Sequence, residues 1–131
     1  MTASDDRKVL LLVDDAPANI QVANAILKDD YRVRIATSGA KALELVKSEP
    51  VPDLILLDVE MPRMDGFEFA RNVRADEATK AIPIIMITSR TADKHRNHAL
   101  EIGVNEYMGK PYQEEQLLAL IKRYTRETAI A

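Results

Sequence analysis

The sequence has 131 residues, of which 47% are hydrophobic and 30% charged, and its formal net charge is -3. This length is typical of one domain, and the lack of cysteine excludes disulfides, thiolate catalysis and cysteine-ligated zinc. The negative net charge gives no overall basic footprint for nucleic acid, although it does not exclude a local basic patch. No apolar run approaches the roughly 20 residues that span a bilayer, and residues 1–7 lack the apolar segment of a signal peptide. We therefore expect a cytoplasmic domain that binds neither nucleic acid nor a membrane.

Short apolar runs alternate with amphipathic segments along the chain, which predicts five pairs of a strand and a helix. The strands are expected over residues 8–13, 31–36, 53–57, 82–87 and 104–108. The helices are expected to follow Pro17 and Ser38, to cover residues 67–74 and 92–102, and to include Leu117 and Ile121. Proline is tolerated in a first helical turn, serine caps helix starts, and Gly103 fits the position after a helix end.

The predicted fold class is α/β. Three of the strands are almost wholly apolar, as central strands of a parallel sheet are when helices cover both of its faces. The second strand alternates arginines with apolar residues, which is typical of a half-exposed edge strand. With right-handed crossovers, the result is a three-layer αβα arrangement of the (βα)5 type. This domain is expected over residues 8–124, between a flexible segment at 1–7 and a fraying tail at 125–131.

Polar side chains stand where several of these strands end. Asp14 and Asp15 follow the first strand, Asp58 the third, Thr88 the fourth and Lys110 the fifth. Ligands of open parallel sheets bind just beyond the carboxyl ends of the strands. The pattern therefore predicts that these side chains gather at one edge of the sheet.

Carboxylates held so close together repel one another unless a cation joins them. Magnesium prefers oxygen ligands and uses one or two carboxylates, and an aspartate can be phosphorylated on its side chain. Asp14, Asp15 and Asp58 carry -3, which Mg²⁺ and Lys110 bring to zero, and an acyl phosphate on Asp58 returns the site to about -1. Each residue alone also fits a solvated turn, a helix cap or an exposed lysine before a proline.

The motifs together resemble the receiver domain of two-component response regulators. The matching residues are Val13-Asp14-Asp15, Asp58 followed by Met61-Pro62 and Asp65-Gly66, Thr88-Ser89, and Lys110-Pro111. The separations are 30 positions (88 − 58) and 22 positions (110 − 88). The resemblance covers nearly the whole chain and implies a flavodoxin-like sheet in the order 2-1-3-4-5.

The resemblance also implies a role for each site residue. Asp58 is the expected phosphoacceptor. It would bind Mg²⁺ together with Asp15, with Asp14 acting through water and the backbone carbonyl of Glu60 as a further ligand; Mn²⁺ can substitute. Thr88 is the expected switch hydroxyl, Lys110 contacts the phosphoryl group, and Tyr107 turns inward when Thr88 moves.

A receiver of this kind is a signalling switch, which promotes only its own phosphorylation and slow dephosphorylation. Its expected phosphodonor is a phosphohistidine on a sensor histidine kinase or a histidine phosphotransfer protein. Its expected output partner is a downstream protein or a second copy, bound through the face formed by the fourth helix, the fifth strand and the fifth helix.

Other positions are expected to set the rate or the loop geometry. Glu60 and Arg90 flank the path of the water that hydrolyses the acyl phosphate, unless both side chains point to solvent. Pro62 and Gly66 shape the loop after Asp58, with Gly66 supplying either a positive φ or a close backbone approach. The bond between Lys110 and Pro111 is a candidate cis peptide.

Three other functions are less consistent with the residues of this sequence. An aspartate-nucleophile phosphohydrolase would need an aspartate two residues after its nucleophile, where this chain has Glu60. A flavodoxin-like cofactor carrier would need a phosphate-binding loop after the first strand, where Asp14 and Asp15 would repel phosphate. A scaffold that has lost phosphorylation would not need the full set of site residues.

His95 and His98 have metal-binding spacing, but a solvated basic face explains them better.

Overall fold

The computed structural model describes residues 7–59, 61, 64–89 and 93–125. Strands and helices alternate along the chain: β1 is Val9–Val13, α1 Pro17–Leu27, β2 Arg32–Ala36, α2 Gly39–Leu45, β3 Leu54–Asp58, α3 Gly66–Ala75, β4 Ile84–Thr88, α4 Asp93–Ile102, β5 Glu106–Gly109 and α5 Glu114–Thr125. The strands pair in parallel, in the order β2-β1-β3-β4-β5. The predicted α/β class and strand order are confirmed.

The sheet is buried on both faces because successive strand residues point to opposite sides. One apolar cluster joins Leu11, Ile55 and Met86 to helices α2, α3 and α4. The other joins Leu10, Leu56 and Ile85 to helices α1 and α5. These two clusters are the two interfaces of the predicted three-layer arrangement.

Local signals place several helix ends where the sequence predicts them. Helix α1 begins at Pro17, and the Ser38 side chain accepts a hydrogen bond from the Lys41 amide at 3.1 Å at the start of α2. Gly103 follows α4 with a φ of 111°, a conformation that glycine adopts without a steric penalty. The edge strand β2 is only partly buried, as its alternating sequence indicates.

Strands β4 and β5 begin two residues later than predicted because their first amides are already bonded elsewhere. The Ile82 amide donates to the Thr79 carbonyl at 3.0 Å, and Pro83 has no amide hydrogen to offer the sheet. The Val104 amide donates to the Ala99 carbonyl at 3.0 Å and completes the end of α4. Turn and helix-end hydrogen bonds therefore delay the start of each strand.

Within the described ranges, no helix is both long enough and apolar enough to cross a membrane. The predicted flexible ends at 1–7 and 125–131 lie mostly outside those ranges. Of them, Arg7 donates a hydrogen bond to the Lys28 carbonyl at 2.8 Å, and Thr125 ends α5.

Candidate functional site

Three carboxylates meet at the carboxyl edge of the sheet. Asp14 directly follows β1 and Asp58 is the last residue of β3, and these two strands are neighbours in register. One carboxylate oxygen from each of Asp14, Asp15 and Asp58 lies within 4.8 Å of the other two. Asp14 and Asp58 are each only 6% exposed, whereas Asp15 is exposed. The fold therefore brings together the acids that the sequence predicts.

Local hydrogen bonds hold Asp14 in place. Its amide donates to the Ala36 carbonyl of β2 at 3.1 Å, and its Oδ1 accepts the Ala16 amide at 3.0 Å. The second bond closes a turn that separates β1 from α1. This turn explains why Asp14 is buried while Asp15 faces solvent.

Lys110 brings a positive charge to the acidic cluster. Its Nζ lies 3.6 Å from Asp58 Oδ2, and its side chain is 26% exposed. Its amide donates to the Thr88 carbonyl at 2.9 Å, which ties the loop after β5 to the end of β4. The bond between Lys110 and Pro111 is cis, as predicted.

Thr88 and Tyr107 are both buried beside this edge. Thr88 is the last residue of β4 and is 0% exposed, and Tyr107 on β5 is 5% exposed. The guanidinium carbon of Arg96 on α4 lies 5.5 Å from the centre of the Tyr107 ring, within the range of a cation–π contact. A displacement of Tyr107 would therefore change a contact that α4 makes with β5.

Gly66 lets α3 start close to the strand that carries Asp58. A Cβ at this position would lie 2.6 Å from the Asp58 carbonyl oxygen and 2.8 Å from the Val59 Cα. The Gly66 amide donates to the Val59 carbonyl at 2.9 Å. Gly66 does not have a positive φ, so of the two predicted reasons for this glycine the close backbone approach is the correct one.

The site includes residues that the sequence did not single out. A cavity of about 480 Å³ opens between α1 and α5 beside Asp14, Asp58 and Lys110, and most of its other lining side chains are apolar. Tyr112 lines this cavity, and burial raises its pKa, with smaller contributions from the charges of Asp14 and Glu114. No sequence signal identifies the cavity, because it depends on how α1 and α5 pack on the same face of the sheet.

His98 makes contacts that the sequence did not predict. Its ring lies 4.8 Å from the Phe67 ring, centre to centre, and its Nε2 lies 3.1 Å from Arg71 Nη2. The histidine is exposed, as the prediction of a solvated basic face expects, and it also links α4 to α3. The acidic cluster is the one group of three or more metal-ligating side chains in the described part of the chain, and neither His95 nor His98 belongs to it.

Three predicted site residues, Glu60, Pro62 and Arg90, lie outside the described residues. The carbonyl ligand from Glu60, the rate-setting pair and the loop role of Pro62 therefore stay predictions.

The described site residues fit a hard divalent cation. Three carboxylates and Lys110 sum to -2 (-3 + 1), which one divalent cation neutralises. Oxygen donors spaced this closely are the kind that Mg²⁺ takes, with water completing its coordination.

Comparisons with known proteins agree with the geometry. A family model described as the response regulator receiver domain matches residues 10–122. The sensor histidine kinase CheAY of Helicobacter pylori is 38% identical over 117 residues, which are 88% of this chain and 15% of that protein. The chain thus spans a small part of this curated relative.

Solved structures of similar proteins have the same fold. The chemotaxis protein CheY4 of Vibrio cholerae has a TM-score of 0.83 and 33% identity, covering 90% of this chain and 98% of that one. The receiver domain of the sensor histidine kinase PA1611 of Pseudomonas aeruginosa has a TM-score of 0.83 and 31% identity, covering 92% and 99%. The PA1611 structure has a magnesium ion coordinated in its active site cleft.

Proposed function

This chain belongs to the response regulator receiver family, and on that premise we propose that Asp58 accepts a phosphoryl group from a phosphohistidine. The chain is a CheY-like receiver domain of a two-component system. The observation that carries the proposal is the meeting of three carboxylates within 4.8 Å, with Lys110 3.6 Å from Asp58. A phosphoryl acceptor needs such an arrangement of one nucleophile, a cation site and a further positive charge.

Asp58 is the member of the cluster best placed to be the nucleophile. It is buried at the end of a central strand and is paired with Lys110, whereas Asp14 is already held by the Ala16 amide. An Asp58 carboxylate oxygen attacks phosphorus, the bond from phosphorus to the histidine nitrogen breaks, and the imidazole leaves with its electron pair. Lys110, with its Nζ 3.6 Å from Asp58 Oδ2, offsets part of the negative charge of the phosphoryl oxygens.

Mg²⁺ would be held by Asp14, Asp15 and Asp58, with Mn²⁺ as a substitute. When bound, it offsets the charge of the carboxylates and of the incoming phosphoryl oxygens. The magnesium ion in the PA1611 receiver domain supports this assignment.

Phosphorylation changes the charge at the end of β3, and we propose that this change is the signal. The acyl phosphate replaces the single charge of Asp58 with roughly two. The Thr88 hydroxyl then moves towards the phosphoryl oxygens, and Tyr107 turns into the space that Thr88 leaves. Arg96 stacks on Tyr107, so the rearrangement reaches the surface formed by α4, β5 and α5.

We place this switch in the cytoplasm, in a pathway that begins at a sensor histidine kinase or a histidine phosphotransfer protein. The surface of α4, β5 and α5 would then bind a downstream protein or a second copy of the chain. Its function is to switch rather than to turn over a substrate.

The test is incubation with acetyl phosphate and Mg²⁺, followed by intact-mass measurement. We expect one phosphoryl group per chain, and none in the Asp58→Asn variant or after chelation of the metal. Asp65→Asn is the matched control, because asparagine can still accept the 2.9 Å hydrogen bond from the Glu68 amide that caps α3.

Two results would contradict the proposal. Labelling of Asp58→Asn equal to that of the wild type would remove Asp58 as the acceptor. Repeated turnover of small phosphate esters would show a phosphohydrolase instead.

A further inference from the structure

A second cavity lies at the amino edge of the sheet, beside the edge strand β2. Its volume is about 400 Å³, within the usual range for small-molecule sites. Its lining consists of Arg7, Asn24, Lys28, Tyr31, Arg32, Val33, Arg34 and Pro50. Four of these residues are cationic and none is acidic, although the whole chain carries -3. The lining is therefore opposite in charge to the protein as a whole.

The Tyr31 hydroxyl is available to a ligand. Tyr31 is 7% exposed, and its hydroxyl has no hydrogen-bond partner among the described residues. Within those residues no fully enclosed side-chain oxygen lacks a partner, so this hydroxyl must reach accessible surface. Tyr31 is one of the residues that line the cavity. An accessible tyrosine hydroxyl without a protein partner is a donor ready for a ligand.

Two guanidinium groups in the lining are fixed by the protein. Arg34 Nη1 donates to the carbonyls of Leu45, Ser48 and Pro50 at 3.2, 2.8 and 2.7 Å. Its Nε and Nη2 have no partner in the described part of the chain. Arg7 Nη1 donates to the Lys28 carbonyl at 2.8 Å. Because these groups are held in place before a ligand arrives, binding costs little side-chain ordering.

The remaining donors come from α1 and from the residue that follows it. Asn24 and Lys28 line the cavity, and neither side chain has a partner among the described residues. Asp29 and Asp30 are exposed next to Lys28 and weaken the local potential, but neither lines the cavity. Donors thus approach one space from the segment before β1, from α1 and from β2.

We propose that this cavity binds a small phosphate-bearing anion with at least two negative charges, such as a diphosphate. A phosphate presents several oxygens in a tetrahedral arrangement, which suits donors that converge from several elements. The site is separate from Asp58, because the two lie at opposite ends of the strands. Through this site the domain would bind a ligand independently of its phosphorylation.

The test is an NMR titration of the full chain with inorganic pyrophosphate in the absence of Mg²⁺. We expect saturable shifts at the backbone amides of Lys28, Tyr31 and Arg32, with an affinity that falls as salt is added. A second titration with a nucleoside diphosphate identifies the source of the phosphate. Tighter binding than pyrophosphate means that the organic part contacts Val33 and Pro50, and equal binding means that the diphosphate alone is recognised.

Variants separate a built site from general charge attraction. Arg7→Gln with Lys28→Gln should weaken binding by about tenfold or more, since two charged donors are lost. Lys41→Gln with Lys122→Gln removes the same charge elsewhere and should change affinity less than about twofold. Tyr31→Phe removes only the hydroxyl and should weaken binding by about fivefold.

Several outcomes would overturn the proposal. These are no saturable shifts in the wild type, shifts confined to the acidic edge around Asp58, and equal losses in the two double variants. Citrate binding as tightly as pyrophosphate would overturn the assignment to phosphate. The first two outcomes are tested on the wild-type protein, so they do not depend on whether a variant folds.

Discussion

Charged side chains have different surroundings at the two edges of the parallel sheet. At the carboxyl edge, Asp14, Asp15 and Asp58 converge, and with Lys110 they leave a net charge of -2 (-3 + 1). At the amino edge of β4 and β5, Arg74 is surrounded by protein acceptors. A charged side chain whose hydrogen-bonding groups are paired within the protein, such as Arg74, stabilises the fold. A cluster that keeps a net charge, such as the acidic one, can bind a ligand.

Arg74 shows how a charge is used by the fold itself. Its Nε donates to the Gly103 carbonyl at 2.9 Å, and its Nη1 to the carbonyls of Lys80 and Ile82 at 3.0 and 2.7 Å. Its Nη2 donates to Asn105 Oδ1 at 3.0 Å. Burial lowers the pKa of Arg74, but a guanidinium stays charged at any physiological pH. One side chain therefore joins the end of α3, the end of α4 and the approaches to β4 and β5.

Replacing Arg74 should give the largest loss of stability. Arg74→Met keeps much of the apolar stem and removes four hydrogen bonds, those to the Gly103 and Ile82 carbonyls being partly buried, so we expect the free energy of unfolding to fall by about 2–4 kcal/mol. The rate of Asp58 phosphorylation under native conditions should not change. Urea unfolding and a phosphorylation time course measure the two quantities. If Arg74→Met slowed phosphorylation and left stability unchanged, Arg74 would serve the phosphorylation site and not the stability of the fold.

Replacing Lys110 should have the opposite profile. Lys110→Met removes the positive charge 3.6 Å from Asp58 Oδ2, and we expect phosphorylation by acetyl phosphate to slow by about 100-fold, the cost of losing one charge-stabilising donor. Magnesium should bind more tightly, because the site becomes more negative. Intact-mass kinetics and calorimetric titration with Mg²⁺ measure these effects. Unchanged kinetics would show that Lys110 is only a structural neighbour.

Gly66→Ala and Gly39→Ala compare the cost of adding a Cβ against the strand backbone with the cost of adding one against a side chain. Gly66→Ala places a Cβ 2.6 Å from a carbonyl oxygen of β3, which cannot move freely, and should cost about 1–3 kcal/mol of stability. Gly39→Ala meets the Met64 side chain, with Cβ, Cγ and Sδ all at 2.8 Å; Met64 lies in the loop before α3 and not in the sheet, so a small shift of that loop can relieve the contact and the cost should be smaller. Thermal unfolding compares the two. Equal losses would mean that the close approach to Asp58 is not what requires glycine at position 66.

Tyr124 should give the smallest effect, and one that depends on pH. Its hydroxyl donates to Glu106 Oε2 at 2.6 Å, and this hydrogen bond is the main cause that raises the pKa of Tyr124, followed by burial and the charge of Glu106. A raised pKa stabilises the fold at pH values below that of an unfolded tyrosine, about 10, and the contribution is lost as pH rises through the folded value.

Tyr124→Phe should therefore lower stability by about 0.5–1 kcal/mol at neutral pH. The difference from the wild type should disappear in alkaline solution. Urea unfolding across that pH range measures it. A difference that grew with pH would mean that the ionised form is the one stabilised, against the direction of the pKa shift.

The sequence predicted the strands and helices, and with them the features that follow from where parallel strands end. Apolar runs placed the strands, and the acids at their ends placed the cluster of Asp14, Asp15 and Asp58, because parallel strands end at a common edge. The starts of β4 and β5 were wrong, since they depend on turn bonds to Thr79 and Ala99.

Features that depend on how two helices pack against each other have no corresponding sequence pattern. The contact of His98 with Phe67 and the cavity beside Tyr112 each depend on two helices meeting in space. The roles of Glu60 and Arg90 in setting the phosphorylated lifetime stay predictions.

The most direct test of the central claim is to locate the modified residue in the wild-type protein. After phosphorylation in the presence of Mg²⁺, reduction with borohydride converts an acyl phosphate to an alcohol, and peptide mass spectrometry identifies the residue. We predict that Asp58 alone is converted and that chelating the metal prevents it. Conversion of Asp14 or Asp15, or a phosphate on a histidine with Asp58 unmodified, would contradict the account.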